Sequence, residues 1–125
     1  MPGQAVTVDY LRDTPGGPLV RFACTTDSVA VLRDAFDRLA AGAAAVIPGL
    51  ELVGLASMEF RHDKRGGLHP ARRGRLVYEG DSEQWVTRAR LLDPLIGPDC
   101  AFQFLDHNGA GPVGAVVTTY PDGSF

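Results

Sequence analysis

RHDKRGGLHPARRGR, running from Arg61 to Arg75, decides how the middle of this chain is read. It holds Arg61, Lys64, Arg65, Arg72, Arg73 and Arg75 against one acid, Asp63. Six of the 12 basic residues lie in it, so the remainder of the 125-residue chain carries six bases against all but one of the 15 acids. The stretch sits between two segments that read as strands. In Leu50 to Arg61, one parity carries Leu50, Leu52, Ala56, Met58 and Phe60; the other carries Val53, Leu55, Ser57, Glu59 and Arg61. Period two of this kind is a strand with one face buried. Leu76 to Glu79 then returns as a short strand, which makes the basic stretch a long hairpin loop.

Upstream, Gln4 to Arg12 alternates with Val6, Val8 and Tyr10 on one side, and a second strand places Val20, Phe22 and Cys24 together. TPGGP at Thr14 to Pro18 is the turn between them, because proline fixes φ and glycine admits positive φ. The period then changes. Asp27 or Ser28 can cap a helix whose stripe is Val29, Leu32, Phe36, Leu39 and Ala40, with Gly42 as its stop. Arg33 with Asp37 and Asp34 with Arg38 stand one turn apart on its other face. Downstream, Asp81 and Gln84 have capping-box spacing and open a second helix with the stripe Trp85, Ala89, Leu92 and Ile96. Pro94 breaks that helix at Asp93. Cys100, Phe102 and Phe104 alternate in a fifth strand with the core side assigned to them, and Val113 to Tyr120 is a sixth.

The element order ββα-ββα-ββ predicts a single α+β domain over 1–125. The expected architecture is a two-layer sandwich: a six-stranded mixed or antiparallel sheet with both helices on one face. Helices of this length can recross the sheet and join parallel neighbours. The sheet face away from the helices then carries Val53, Leu55, Val77, Leu105, Val116 and Tyr120, with Leu19, Ala23 and Ala101. Thr7, Asp9, Arg21, Ser57, Glu59 and Gln103 are interspersed. An apolar face of that extent marks an interaction surface, for a second copy or a foreign protein.

Composition excludes more than it assigns. A net charge of −3 argues against a dedicated nucleic-acid binder, and the basic stretch has no aromatic residue on which bases could stack. Its other uses are solvation or docking of an acidic protein, where charge steers encounter. The longest apolar stretch, Leu39 to Leu50, is too short for a membrane span, and residues 1–12 lack a secretion signal. Two cysteines, Cys24 and Cys100, both expected in the core, do not make a disulfide framework, so the expected compartment is cytoplasmic.

Gly109 to Gly114 matches the G-x-G-x-x-G spacing, but Pro112 lies inside it and the β-branched run Val116 to Thr119 follows, so no cofactor site is expected. His62, His69 and His107 lie on two different loops, and no metal site is expected. There is no G-x-S-x-G elbow, and Glu59 and Glu79 across the hairpin read as solvated ion pairs. No catalytic residue is assigned. If the domain instead holds a small molecule or acts as an enzyme, Arg21, Glu59, Tyr78 and His107 are the polar groups of a pocket in or on the sheet.

Three segments carry a resemblance: Asp81-Ser82-Glu83-Gln84-Trp85, Leu91-Leu92-Asp93 and Phe102-Gln103-Phe104-Leu105. Over roughly residues 19 to 106 the chain resembles a small bacterial α+β family in which a Trp-bearing helix precedes a strand with a His-Gln-Tyr-Leu-like core. Phe102 stands where that family has its histidine, so no histidine-based role is carried over. The resemblance implies an immunity or interaction protein, and the absence of a catalytic constellation makes a non-enzymatic protein-interaction domain the leading expectation.

Overall fold

Gly54, at φ +75°, divides the long strand expected from Leu50 to Arg61. The two pieces, β3 (Leu50–Val53) and β4 (Ser57–His62), belong to different sheets. A left-handed residue cannot continue a pleat, so the chain leaves one sheet there and enters another. The computed structural model describes residues 6–15, 17–43, 47, 50–70, 72–97, 100–106 and 113–125. Within them the chain is α+β, with two helices and two sheets, rather than one six-stranded sheet.

The larger sheet also contains β1 (Val6–Leu11), β2 (Leu19–Cys24), β7 (Phe102–Asp106) and β8 (Gly114–Thr118), in the order β3-β1-β2-β8-β7. The β1–β2 and β7–β8 pairs are antiparallel, as their turns predict. The β1–β3 and β2–β8 pairs are parallel, so the sheet is mixed. The smaller sheet has the order β4-β6-β5, where β5 is Gly67–Pro70 and β6 is Arg75–Gly80. The expected hairpin is therefore corrected. The strand at Arg75–Gly80 runs parallel to β4, and its antiparallel partner is β5, which lies inside the basic stretch. One bridge, Leu68 to Val113, links the two sheets.

Helix α1 (Thr26–Ala40) buries Val29, Leu32, Phe36 and Leu39 as its stripe requires. Its cap is Thr25 rather than Asp27 or Ser28. The Thr25 hydroxyl accepts from Ser28 N at 3.2 Å, and Ser28 Oγ accepts from Thr25 N at 2.8 Å, a capping box two or three residues earlier than expected. Helix α2 (Ser82–Leu92) keeps the expected box: Gln84 N donates to Asp81 Oδ1 and Asp81 N to Gln84 Oε1, both at 2.8 Å. Pro94 converts its end into a short 3-10 turn, Asp93–Leu95. The helices lie against each other; α1 also touches β1, β2 and β4, and α2 touches β6 and β7.

Where these elements meet, Phe22, Phe36, Phe60, Tyr78 and Trp85 form one aromatic cluster with ring centroids 5.0–6.5 Å apart. It draws one ring from the large sheet, two from the small sheet and one from each helix. Such pairs add about 0.5–1.5 kcal/mol each beyond area burial. Trp85 is fully buried, and its indole N–H donates to Arg61 O at 3.0 Å, which ties α2 to the end of β4. Arg88 is also buried. Its Nη1 donates to Glu79 O at 2.8 Å, and its guanidinium carbon lies 4.3 Å from the Tyr78 ring centroid and 4.4 Å from that of Trp85.

Candidate functional site

Alternation in β1 and β2 sends Val6, Val8, Val20 and Phe22 to the core and leaves Thr7, Asp9, Leu19 and Arg21 on the outer face of the large sheet. Asp9 and Arg21 stand opposite each other and form an ion pair. The chain after β8 then turns back across this face. Gly123 O accepts from Arg21 Nη1 at 3.1 Å, and Ser124 O accepts from Thr118 Oγ1 at 2.5 Å. The Phe125 ring reaches Phe104 at 6.0 Å, and Phe104 reaches Phe102 at 6.0 Å with the rings perpendicular. Gly123 is buried here at φ +78°, and a Cβ on it would stand 3.1 Å from Arg21 Nη1, so the close crossing needs glycine.

This segment corrects the open apolar face. Val116 is on it but is 0% exposed, between Arg21 and Phe104, both of which the crossing segment engages. Leu105 is not on it at all. The register pairs Phe104 with Val116 and Phe102 with Thr118, which puts both phenylalanines outside and Leu105 in the core. A register irregularity lies between Phe104 and Asp106. Val77 lies on the small sheet and is buried there. Leu55 links β3 to β4 and packs partly against the core, and Tyr120 is half-buried just past β8.

Of the expected set, Val53 alone is a large exposed apolar residue, at 54%. At the opposite edge of the sheet the exposed groups are Phe102 at 45% and Phe125 at 42%, which the sequence reading missed. Phe-x-Phe alternation does not say which face it belongs to; only the partner strand does.

The basic stretch is likewise divided. Arg61, Lys64 and Arg65 lie at the end of β6 nearest α2, and Arg72, Arg73 and Arg75 lie at its beginning. The two groups enter from opposite ends of β6, and Arg61 and Arg75 meet between them at Glu59. Arg61 Nε bonds Glu59, which holds the Glu59 carboxyl below its ordinary range and raises the guanidinium. Arg75 Nη2 lies 3.8 Å from the other Glu59 oxygen. Glu79 stands opposite Arg61 rather than Glu59, so the two glutamates do not face each other; its Oε1 is 3.8 Å from His69 Nε2.

Among the described residues, the polar groups expected for an enzymatic pocket, Arg21, Glu59 and Tyr78, do not converge. Arg21 is on the large sheet's outer face, Tyr78 is in the core and Glu59 is on the small sheet's outer face; His107 lies outside the described residues, as do Gly109 to Pro112. Burial pushes the Cys24 thiol up to about 12, which leaves it no thiolate at neutral pH. Cys100 was expected in a core strand. It is instead exposed, at φ +59°, ahead of β7. Among the described residues no group of three or more His, Cys, Asp or Glu could hold a metal ion, and no helix is long and apolar enough to cross a membrane. No family model matches the chain, and no curated protein or solved structure does either.

Proposed function

We propose that this chain is a non-enzymatic protein-interaction domain that works through the β7 side of the large sheet's outer face, and that the partner seated there is a second copy. The observation that carries the reading is the Phe102–Phe104–Phe125 cluster, with two of its three rings exposed, beside a strand at the end of its sheet. An edge strand offers unpaired backbone groups that another strand can satisfy, and pairing about a two-fold axis uses the same strand twice. Charge does not oppose it: Asp9 is neutralised by Arg21 on this face, and Asp122 accepts from Ser124 N and Oγ. Exposed aromatic anchors dominate interface energies, whereas charges at the rim contribute less.

Sedimentation velocity over a concentration series tests the reading. The wild-type chain is expected to sediment as a dimer at micromolar concentration, and Phe102→Asp as a folded monomer with an unchanged far-ultraviolet circular dichroism spectrum. A wild-type chain that stays monomeric at every concentration refutes self-association. A Phe102→Asp dimer as tight as the wild type refutes the surface.

A further inference from the structure

The end of β1 and the start of β6 belong to different sheets and are far apart in sequence, yet they share the walls of a cleft of about 330 Å³. Tyr10 and Arg12 line one side; Leu55, Pro70, Arg75 and Leu76 line the other. The turn before β6 holds this wall in place. Ala56 N donates to Gly74 O at 2.9 Å and Arg75 N to Arg72 O at 3.3 Å, with Arg73 and Gly74 both at positive φ.

Two guanidinium groups on apolar walls define what the cleft can take. Arg12 has its guanidinium carbon 5.4 Å from the Tyr10 ring centroid and joins no ion pair among the described residues. Arg75 shares Glu59 with Arg61 at 3.8 Å, and it does so from the longer side. Arg72 and Arg73 lie exposed in the adjoining turn. Two arginines and no carboxylate line the cleft, in a chain whose net charge is −3. A cleft of one sign with low-dielectric walls concentrates ions of the other sign. The volume is at the small end for ligand sites, and apolar walls with few polar groups are what such sites have.

We infer that this cleft binds a small organic anion: a flat apolar body against Tyr10, Leu55 and Leu76, with its phosphate or carboxylate held between Arg12 and Arg75. Guanidinium groups match both anions through paired N–H donors. The site is separate from the β7 surface, so either can fail without the other.

The test is a titration of the ¹⁵N-labelled chain followed by amide chemical shifts, with phenyl phosphate and benzoate as anions and benzyl alcohol and inorganic phosphate as controls. Phenyl phosphate or benzoate is expected to move the amides of Tyr10, Arg12, Leu55 and Gly74 to Leu76, saturably, and to bind about tenfold more tightly than either control. Arg12→Gln and Arg75→Gln are each expected to weaken the anion about tenfold and leave benzyl alcohol unchanged, since each removes one charge-assisted donor. Arg38→Gln, on the exposed face of α1 and paired with Asp34, is expected to change nothing. The inference is overturned if neither anion moves those amides at about ten millimolar. It is also overturned if both variants bind as the wild type does, or if inorganic phosphate binds as tightly as phenyl phosphate. Both arginines are exposed, and a preserved amide spectrum in each variant shows that the fold is intact.

Discussion

Gly80 and Arg88 make the sharpest test of how α2 is held to the small sheet. Nothing about the Gly80 backbone demands glycine through positive φ; the demand is space. A Cβ there overlaps Arg88 Nη1 and stands 3.2 Å from Arg88 Cζ and 3.2 Å from Gln84 Cβ. The guanidinium must therefore leave its place between the Tyr78 and Trp85 rings and give up its bond to Glu79 O. A hydrogen bond from a charged donor is worth about 1.5–3 kcal/mol. The two cation–π contacts add about 1 kcal/mol together.

Alanine in place of glycine in a strand returns about 0.5 kcal/mol. Gly80→Ala is then expected to cost about 2–3.5 kcal/mol. Arg88→Met keeps the buried stem and loses the same bond and ring contacts, at about the same cost. In the Arg88→Met background the obstructing guanidinium is gone, so adding Gly80→Ala is expected to cost under about 0.5 kcal/mol, a coupling of about 2 kcal/mol. Urea unfolding reads this directly. With a slope near 1.5 kcal/mol per molar for a chain of this size, each single variant lowers the midpoint by about 1.5 M, and the double variant falls little further. Additive losses in the double variant would refute the reasoning, because the two changes would then be breaking different contacts.

The remaining expectations concern caps, thiols and acid. Asp81→Ala removes the acceptor of Gln84 N and is expected to cost about 1 kcal/mol, a fall of about 4 °C in Tm by calorimetry, whereas Asp27→Ala, which caps nothing, is expected to stay within about 1 °C. Ellman's reagent is expected to titrate one thiol in the native chain, exposed Cys100, and the second only on unfolding; two fast thiols would contradict the burial of Cys24.

Asp93 is held below its ordinary value of 3.8, first by its hydrogen bond from Arg33, and Glu59 below 4.5 by Arg61. A carboxyl depressed in the folded state contributes stability that is present above its unfolded value and is lost as pH falls toward the folded one. Tm is therefore expected to drop as pH falls below about 4.5, and Arg33→Gln to shallow that drop; an unchanged acid slope in the variant would count against the Asp93 contribution.

What could be read without coordinates was local. Val29, Leu32, Phe36 and Leu39 recur at helical spacing, Asp81 and Gln84 stand three apart, Pro94 cannot continue a helix, and the two short hairpins have their own turns. Each of these depends on residues within a turn or two of one another, so sequence order carries the information. The cap at Thr25 was missed because Thr25, Asp27 and Ser28 can all serve, and only the helix's starting register chooses among them.

The placement of strands and faces was decided elsewhere. A period of two is the same pattern whichever side it presents, so Phe102-x-Phe104 could not say that β8 would turn it outward, nor Val116 that it would lie between Arg21 and Phe104. Gly54 could have been read as tolerated in one long strand; the pairing of β4 with β6 is what makes it a boundary. Arg12 and Arg75 meet at one cleft for the same reason: the two sheets that carry them are joined by contacts between distant parts of the chain, and no spacing along the chain encodes which distant segments will share a wall.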